Sequence, residues 1–448
     1  MNPEIFREYD IRGVAGKDMD DNDVYNIGLA LGSYIKRHKG PRICLSRDCR
    51  TTSERYNELI EKALIDCGCN VLSIGICPTP ILYYAVNVSE ADGGIMITAS
   101  HNPPEYNGFK VNLGTDSLHG KDLQTIREII EEEDFESGEG TCESVDVVTG
   151  YYDFIFNDIK LNNKIRVGID AGNGTAGPYI LEILNKLGCE VHDLYCDMDG
   201  TFPNHEADPT IKENLEDLIS LVKEKSLDIG IAFDGDGDRL GLVDRDGNIL
   251  FGDQMMIIFS RDILKLNPGA TFISEVKCSK TMYDDIEKNG GKAIMWKTGH
   301  SKIKKKMKET KALLAGEMSG HIFFADRYFG HDDAMYAACR MLEIMDKTGK
   351  SPYDLLEDVP KTFSTPEIRI ECPESSKRDI VEKITAKFRH TNEVIDIDGA
   401  RILYDHGWGL IRSSNTQPVL VLRFESDSME NLNLIRNEIE SELNLLID

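Results

Sequence analysis

Basic residues are in short supply. The 448-residue chain carries 51 lysines and arginines against 78 aspartates and glutamates, a formal net charge of −27. Such acidity repels phosphate backbones and anionic lipid, which argues against nucleic-acid and membrane partners. No apolar run approaches the ~18 residues that span a bilayer. The opening Met1-Asn2-Pro3-Glu4 has no basic start followed by an apolar stretch, so no secretory signal is expected. Cys-x-x-Cys pairs are missing: among 11 cysteines the nearest, Cys67 and Cys69, are separated by a single residue. An odd set of scattered thiols suits free cysteines in a reducing cytoplasm. The Gly-x-Ser-x-Gly elbow of a Ser-His hydrolase is absent, and so is a Walker loop.

Hydrophobic residues make up 41%, enough for globular cores, and the length suggests roughly three domains. One pattern occurs three times: apolar strand, polar loop, amphipathic helix, glycine, strand. It runs from Arg42 through Gly68 to Val71, from Arg166 through Gly188 to Val191, and from Thr271 through Gly290 to Ala293. A glycine at this place suits the residue after a helix, where φ is positive. Strands alternating with helices imply α/β layers with parallel pairing. Residues 134–150 and 358–366 read as connectors. Residues 367–448 break the pattern, with strands near Ile368 and Val419 and a helix from Met429 to Leu445, and suit a smaller α+β domain. The expected division is 1–146, 147–248, 249–361 and 362–448.

Four loops carry the chemistry. Asp234-Gly-Asp236-Gly-Asp238-Arg239 follows the apolar strand Ile229–Phe233. Three carboxylates so close repel unless a cation joins them, and hard oxygens favour Mg²⁺. An EF-hand would need glycine and glutamate where Arg239 and Arg245 stand. An aspartyl-phosphatase signature would want Thr or Val at Asp238. Thr98-Ala-Ser100-His101-Asn102-Pro103 places a serine at the carboxyl end of a strand, where such folds bind ligands. Its hydroxyl needs a base or metal to act as a nucleophile. Arg412-Ser-Ser414-Asn415-Thr416 offers a guanidinium, hydroxyls and an amide to a phosphate dianion. Glu317-Met-Ser319-Gly-His321 can hydrogen-bond sugar hydroxyls. Arg7, Arg12, Lys110, Arg239, Lys277 and His300 supply the positive charge that an anionic substrate would need inside an acidic protein. Lys302-Ile-Lys-Lys-Lys306 reads as a solvated helix face. Gly172-Asn-Gly174-Thr-Ala-Gly177 matches a dinucleotide fingerprint, but Asp170 would face the pyrophosphate, so a tight turn is the better reading.

These four loops, in this order, closely resemble the α-D-phosphohexomutase superfamily, in particular its bacterial and archaeal phosphomannomutase/phosphoglucomutase branch. The resemblance covers essentially the whole chain. It implies three related α/β domains with mixed sheets and a smaller C-terminal α+β domain around a central cleft. It implies that Ser100 is phosphorylated, and that Asp234, Asp236 and Asp238 bind Mg²⁺ with a phosphoserine oxygen of Ser100. Glu317, Ser319 and His321 would read sugar hydroxyls. Arg412, Ser414, Asn415 and Thr416 would clamp the non-reacting phosphate. Arg12, Lys110, Arg239 and His300 would sit near the transferred group, with Lys110 and His300 as acid–base candidates, and Tyr9 and Lys277 would contact substrate. The implied reaction interconverts hexose 1- and 6-phosphates of mannose or glucose through a hexose 1,6-bisphosphate, in a cytoplasmic monomer or small homo-oligomer. Met318 and Ser414-Asn-Thr-Gln-Pro418 argue against the glucosamine branch. A phosphoglucosamine mutase, a Ser/Mg-dependent sugar phosphatase, a non-catalytic sugar-phosphate binder and a dinucleotide oxidoreductase are the competing readings.

Overall fold

The strand Ile229–Phe233 is buried along its whole length, as a strand covered on both faces must be. It is one of three equivalent strands in the computed structural model, which describes residues 1–415 and 417–447. The first sheet contains the order Asn70–Ile76, Arg42–Arg47, Gly93–Ile97, Tyr106–Leu113. The second contains Glu190–Leu194, Arg166–Asp170, Ile229–Phe233, Leu240–Asp244. The third is Lys292–Trp296, Thr271–Glu275, Leu314–Gly316, Ile322–Phe324. In each, the first three strands are parallel and the fourth is antiparallel to the third. The architecture is therefore α/β with mixed sheets. The repeat is longer than the sequence pattern suggested, because it includes a second helix and a returning strand.

The three glycines behave as the pattern requires: φ is 77° at Gly68, 87° at Gly188 and 82° at Gly290. Each follows the first helix of its repeat and turns the chain into the second strand. The remaining segment forms an antiparallel sheet built on Val419–Ser426, Gly407–Ser413 and Ala400–Tyr404. Helices Lys377–Phe388 and Met429–Ile447 pack on it, which makes this part α+β.

Two expected connectors contain structure. Thr141–Ser144 adds a parallel edge strand to the first sheet beside Asn70–Ile76, and a helix starts at Val148. All four residues of that strand are exposed, so no apolar alternation marked it. Phe363–Ser364 likewise pairs with the end of Val419–Ser426.

One large apolar cluster joins the first three units, running through Leu82, Tyr151, Ile183 and Met335. The C-terminal unit has its own core, including Ile384, Phe424 and Ile439. It meets the third unit through the buried Trp408, which packs with Val276, and through Arg401, which donates to the carbonyls of Val276 and Cys278 at 2.6 and 2.8 Å. All eleven cysteines are free, and only Cys49 and Cys142 are not buried. No described helix is long and apolar enough to cross a membrane.

Candidate active site

The turn from third to fourth strand holds a candidate loop in all three repeats. Residues 98–105 carry Ser100, 234–239 carry the aspartates, and 317–321 carry Glu317, Ser319 and His321. Both ends of each loop are anchored in one sheet, at the carboxyl end of a parallel strand. That is where α/β folds gather ligand groups.

The acidic loop is a turn. Gly237 has φ 74°, and Asp234 Oδ1 accepts from the backbone N–H groups of Asp238 and Arg239 at 3.1 Å each. The curl brings oxygens of Asp234, Asp236 and Asp238 within 4.8 Å of one another, with all three side chains fully buried. Burial, with the charges of Asp238 and Asp236, pushes the Asp234 carboxyl well above the usual range. Lys110 Nζ lies 2.6 Å from Asp236 Oδ2 and also contacts Asp238. Burial would discharge this lysine, but Asp236, Asp238 and Asp234 together lift its pKa. One oxygen each of Asp236 and Asp238 still has no hydrogen-bond partner among the described residues. Buried carboxylates with spare oxygens fit a hard divalent cation such as Mg²⁺.

Ser100 abuts this cluster, with Oγ donating to Asp234 Oδ2 at 2.8 Å and lying 3.1 Å from His101 Nδ1. Its φ of 51° is unusual for a non-glycine residue. Arg50 holds the loop in that shape: its guanidinium donates to the carbonyls of Ser100, Asn102, Pro103 and Tyr106 at 2.6–3.1 Å. The glycine-rich loop after Asp170 braces the other side. Thr175 N donates to Gly235 O at 3.0 Å, and a Cβ on Gly174 would lie 2.7 Å from that oxygen. Asp170 is engaged by Gly172 N and His205, so these glycines serve close packing.

Arg12 donates to Asn102 and pairs with Asp10. Arg239 Nε is 3.2 Å from His321 Nε2, and His321 Nδ1 is 3.0 Å from Asp332. Asp332, which sequence reading missed, is fully buried. It also lies 3.1 Å from Lys304 Nζ and 3.8 Å from His300 Nδ1. Lys304 is thus an interior partner and no part of a solvated face. Burial and the nearby Lys304 ammonium keep His300 well below the usual histidine range. Burial also opposes charge on His321, but Asp238 and Asp332 more than offset it, so its pKa is raised. Glu317 accepts from Gly299 N at 2.7 Å, and burial with the nearby Glu275 charge raises its carboxyl. Ser319 is half-buried beside it.

The fourth loop meets the first and third units. Arg412 pairs with Asp398 at 3.1 Å. Asn415 Nδ2 donates to Tyr9 Oη at 2.6 Å, and Tyr9 Oη donates to Thr298 O at 2.8 Å, so Tyr9 ties the first unit to the third and fourth. Lys277 pairs with Glu367 at 3.1 Å. Ser414 is buried in the loop, and its carbonyl accepts from the buried Lys377, a second residue that sequence reading missed. Thr416 lies outside the described residues. The sequence-singled residues of the four loops are otherwise brought together from four separate units, whereas Arg7 lies apart, beside Lys121 and Lys305.

Similarity to known proteins is extensive. Residues 3–137, 149–247 and 251–363 match the family descriptions "Phosphoglucomutase/phosphomannomutase, alpha/beta/alpha domain" I, II and III, and residues 367–442 match the family's C-terminal domain. A phosphomannomutase/phosphoglucomutase of Pseudomonas putida is 46% identical over 441 residues, covering 98% of this chain and 95% of its own. A Neisseria gonorrhoeae phosphoglucomutase is 45% identical over 444 residues, covering 98% of this chain and 96% of its own. The crystal structure of a Burkholderia thailandensis phosphoglucomutase/phosphomannomutase family protein superposes with a TM-score of 0.94 at 41% identity, covering 99% of this chain and 97% of that one. With all four of its domains matched in order, the chain belongs to the phosphoglucomutase/phosphomannomutase family.

Proposed function

We infer that this isomerase interconverts hexose 1- and 6-phosphates of mannose or glucose, using phosphorylated Ser100 and a hexose 1,6-bisphosphate. The observation that carries the reading is the Ser100 hydroxyl, 2.8 Å from one carboxylate of a buried acidic triad. Asp234, Asp236 and Asp238 would hold Mg²⁺ together with a phosphoserine oxygen. The ion would supply charge stabilisation to the transferring group.

In the first transfer the bond from phosphorus to Ser100 Oγ breaks as a bond to the free sugar hydroxyl forms. Arg239 and Arg12 would stabilise charge on the transferring group. The hydroxyl proton needs an acceptor. Lys110, held as an ammonium between Asp236 and Asp238, is poorly suited to that in this arrangement. His300, kept neutral by burial and the nearby Lys304, suits it better, and its Nδ1 lies 3.8 Å from Asp332. Asp332 then acts as a positioning residue. Glu317 and Ser319 would grip sugar hydroxyls, while Arg412, Ser414, Asn415 and Thr416 would hold the other phosphate. The bisphosphate reverses, and its second phosphoryl group returns to Ser100. Free thiols and an acidic surface support a cytoplasmic site of action.

Phosphorus NMR of mannose, glucose and glucosamine 1-phosphates, with Mg²⁺ and a trace of glucose 1,6-bisphosphate, tests the reading. Wild type should form the 6-phosphate of mannose or glucose, and Ser100→Ala should not. Free phosphate would replace the reading with a phosphatase, and turnover of glucosamine alone with a phosphoglucosamine mutase. Replacing Asp332 by Asn should lower kcat and move its acidic pH limb, whereas an unmoved limb would sink the His300 assignment.

A further inference from the structure

Lys302 and Lys305 project from one helix into a cavity of about 700 Å³ between the first and third units. Arg7 and Lys121 line the same cavity, against two acids, Glu8 and Asp122. Glu8 is paired with Lys302 at 2.9 Å, and Asp122 accepts from Tyr34. The side chains of Arg7, Lys121 and Lys305 make no ion pair among the described residues. Four cations around one hollow are conspicuous on a chain with a net charge of −27. The volume is that of a small-molecule site. Its inner wall includes Asn415 of the phosphate loop, which donates to Tyr9, and Lys302 Nζ lies 5.2 Å from the centre of the Tyr9 ring. The cavity is therefore continuous with the clamp.

Resting on the mutase reading, we propose that this cavity is an anion vestibule that retains the hexose 1,6-bisphosphate while it turns around. To reverse, the intermediate must release both the Arg412 loop and the Ser100 site. At that moment it is a polyanion held in an acidic protein, and the surrounding field favours its escape. Each escape leaves Ser100 without its phosphoryl group. Cations that are unpaired and next to the clamp counter that field where the phosphate swings out.

The test uses full-length, Ser100-phosphorylated enzyme turning over glucose 1-phosphate with no added bisphosphate. Intact-mass spectrometry reads loss of phosphoserine per 6-phosphate formed, and rapid quench reads the first transfer. Lys121→Gln/Lys305→Gln should lose phosphoserine about tenfold more often, equivalent to about 1.4 kcal/mol, with first transfer within about twofold of wild type. Added glucose 1,6-bisphosphate should restore its rate, Lys305→Arg should behave as wild type, and salt should increase escape more in wild type than in the double variant. Unchanged escape overturns the vestibule. So does a first transfer that slows in step with escape, since the cations would then serve substrate capture. Wild type that forms no 6-phosphate overturns the mutase reading and the vestibule with it.

Discussion

Removing the Arg50 side chain tests whether the conformation of the Ser100 loop is imposed from outside it. Arg50 is 2% exposed, donates to four carbonyls of the loop and faces Asp48 at 3.2 Å. Arg50→Met takes away every one of those donors and strands a buried carboxylate. Breaking a buried pair from one side costs about 3–5 kcal/mol. Asp48→Asn/Arg50→Met removes the stranded charge and should recover most of that loss. It does nothing for the loop, which holds Ser100 at φ 51°. A displacement of about 1 Å at a reacting atom costs about a hundredfold in rate. Urea midpoints should therefore fall in the single variant and largely return in the double. kcat, measured at saturating bisphosphate where both proteins are folded, should stay about a hundredfold down in both. If activity returned together with stability, Arg50 would be a stability element only and the argument for an imposed loop would be refuted.

Three further outcomes are expected. Asp236→Asn should weaken Mg²⁺ binding by about a hundredfold or more in titration calorimetry, and chelation should abolish wild-type turnover until Mg²⁺ is restored. Gly290→Ala and Gly188→Ala, at positive φ with open space around them, should each cost about 1–2 kcal/mol with unchanged kcat; Gly68→Ala should cost more, because its Cβ would lie 3.2 Å from Gly138. Burial lowers the His205 pKa, but the hydrogen bond and charge of Asp170 lift it above its ordinary value. Its contribution is fully present below about pH 6.5 and is lost as pH rises through the folded value, so His205→Gln should flatten the wild-type fall in urea midpoint above about pH 6.5. Equal slopes would refute the pairing.

The sequence reading succeeded where a local rule applied. Strand Ile229–Phe233 was bounded by apolar run and acidic turn, and the helix from Met429 runs two residues beyond its expected end, to Ile447. Gly68, Gly188 and Gly290 were legible because a left-handed residue after a helix is a backbone requirement. The fourth strand of each repeat was not placed, since its antiparallel pairing across a functional loop is set by the sheet and not by its own hydropathy. Arg50, Asp332 and Lys377 were invisible for a related reason. Each is a charged residue whose burial depends on partners tens of residues away or more, as with Arg50 and Ser100 or Lys377 and Ser414. Taken alone, such residues look like surface.

The repeat also explains why the chemistry is divided as it is. A turn between two paired strands is fixed at both ends, so the serine, the acidic triad and the Glu317 loop are each locked into a sheet. Those sheets share one apolar cluster, and shifting any of them would expose buried area. The Arg412 loop also joins two paired strands, but on a core of its own that meets the third unit through Trp408, Arg401 and a few polar contacts. Relative movement is least costly at such a boundary. The groups proposed for phosphoryl transfer are therefore on the rigid part. The proposed phosphate clamp is on the part that can move without uncovering the core. Tyr9 spans the two through Thr298 and Asn415, so opening the clamp breaks the Asn415 bond to Tyr9, along with polar contacts to the third unit such as Thr298 N to Asp398 and Lys277 to Glu367.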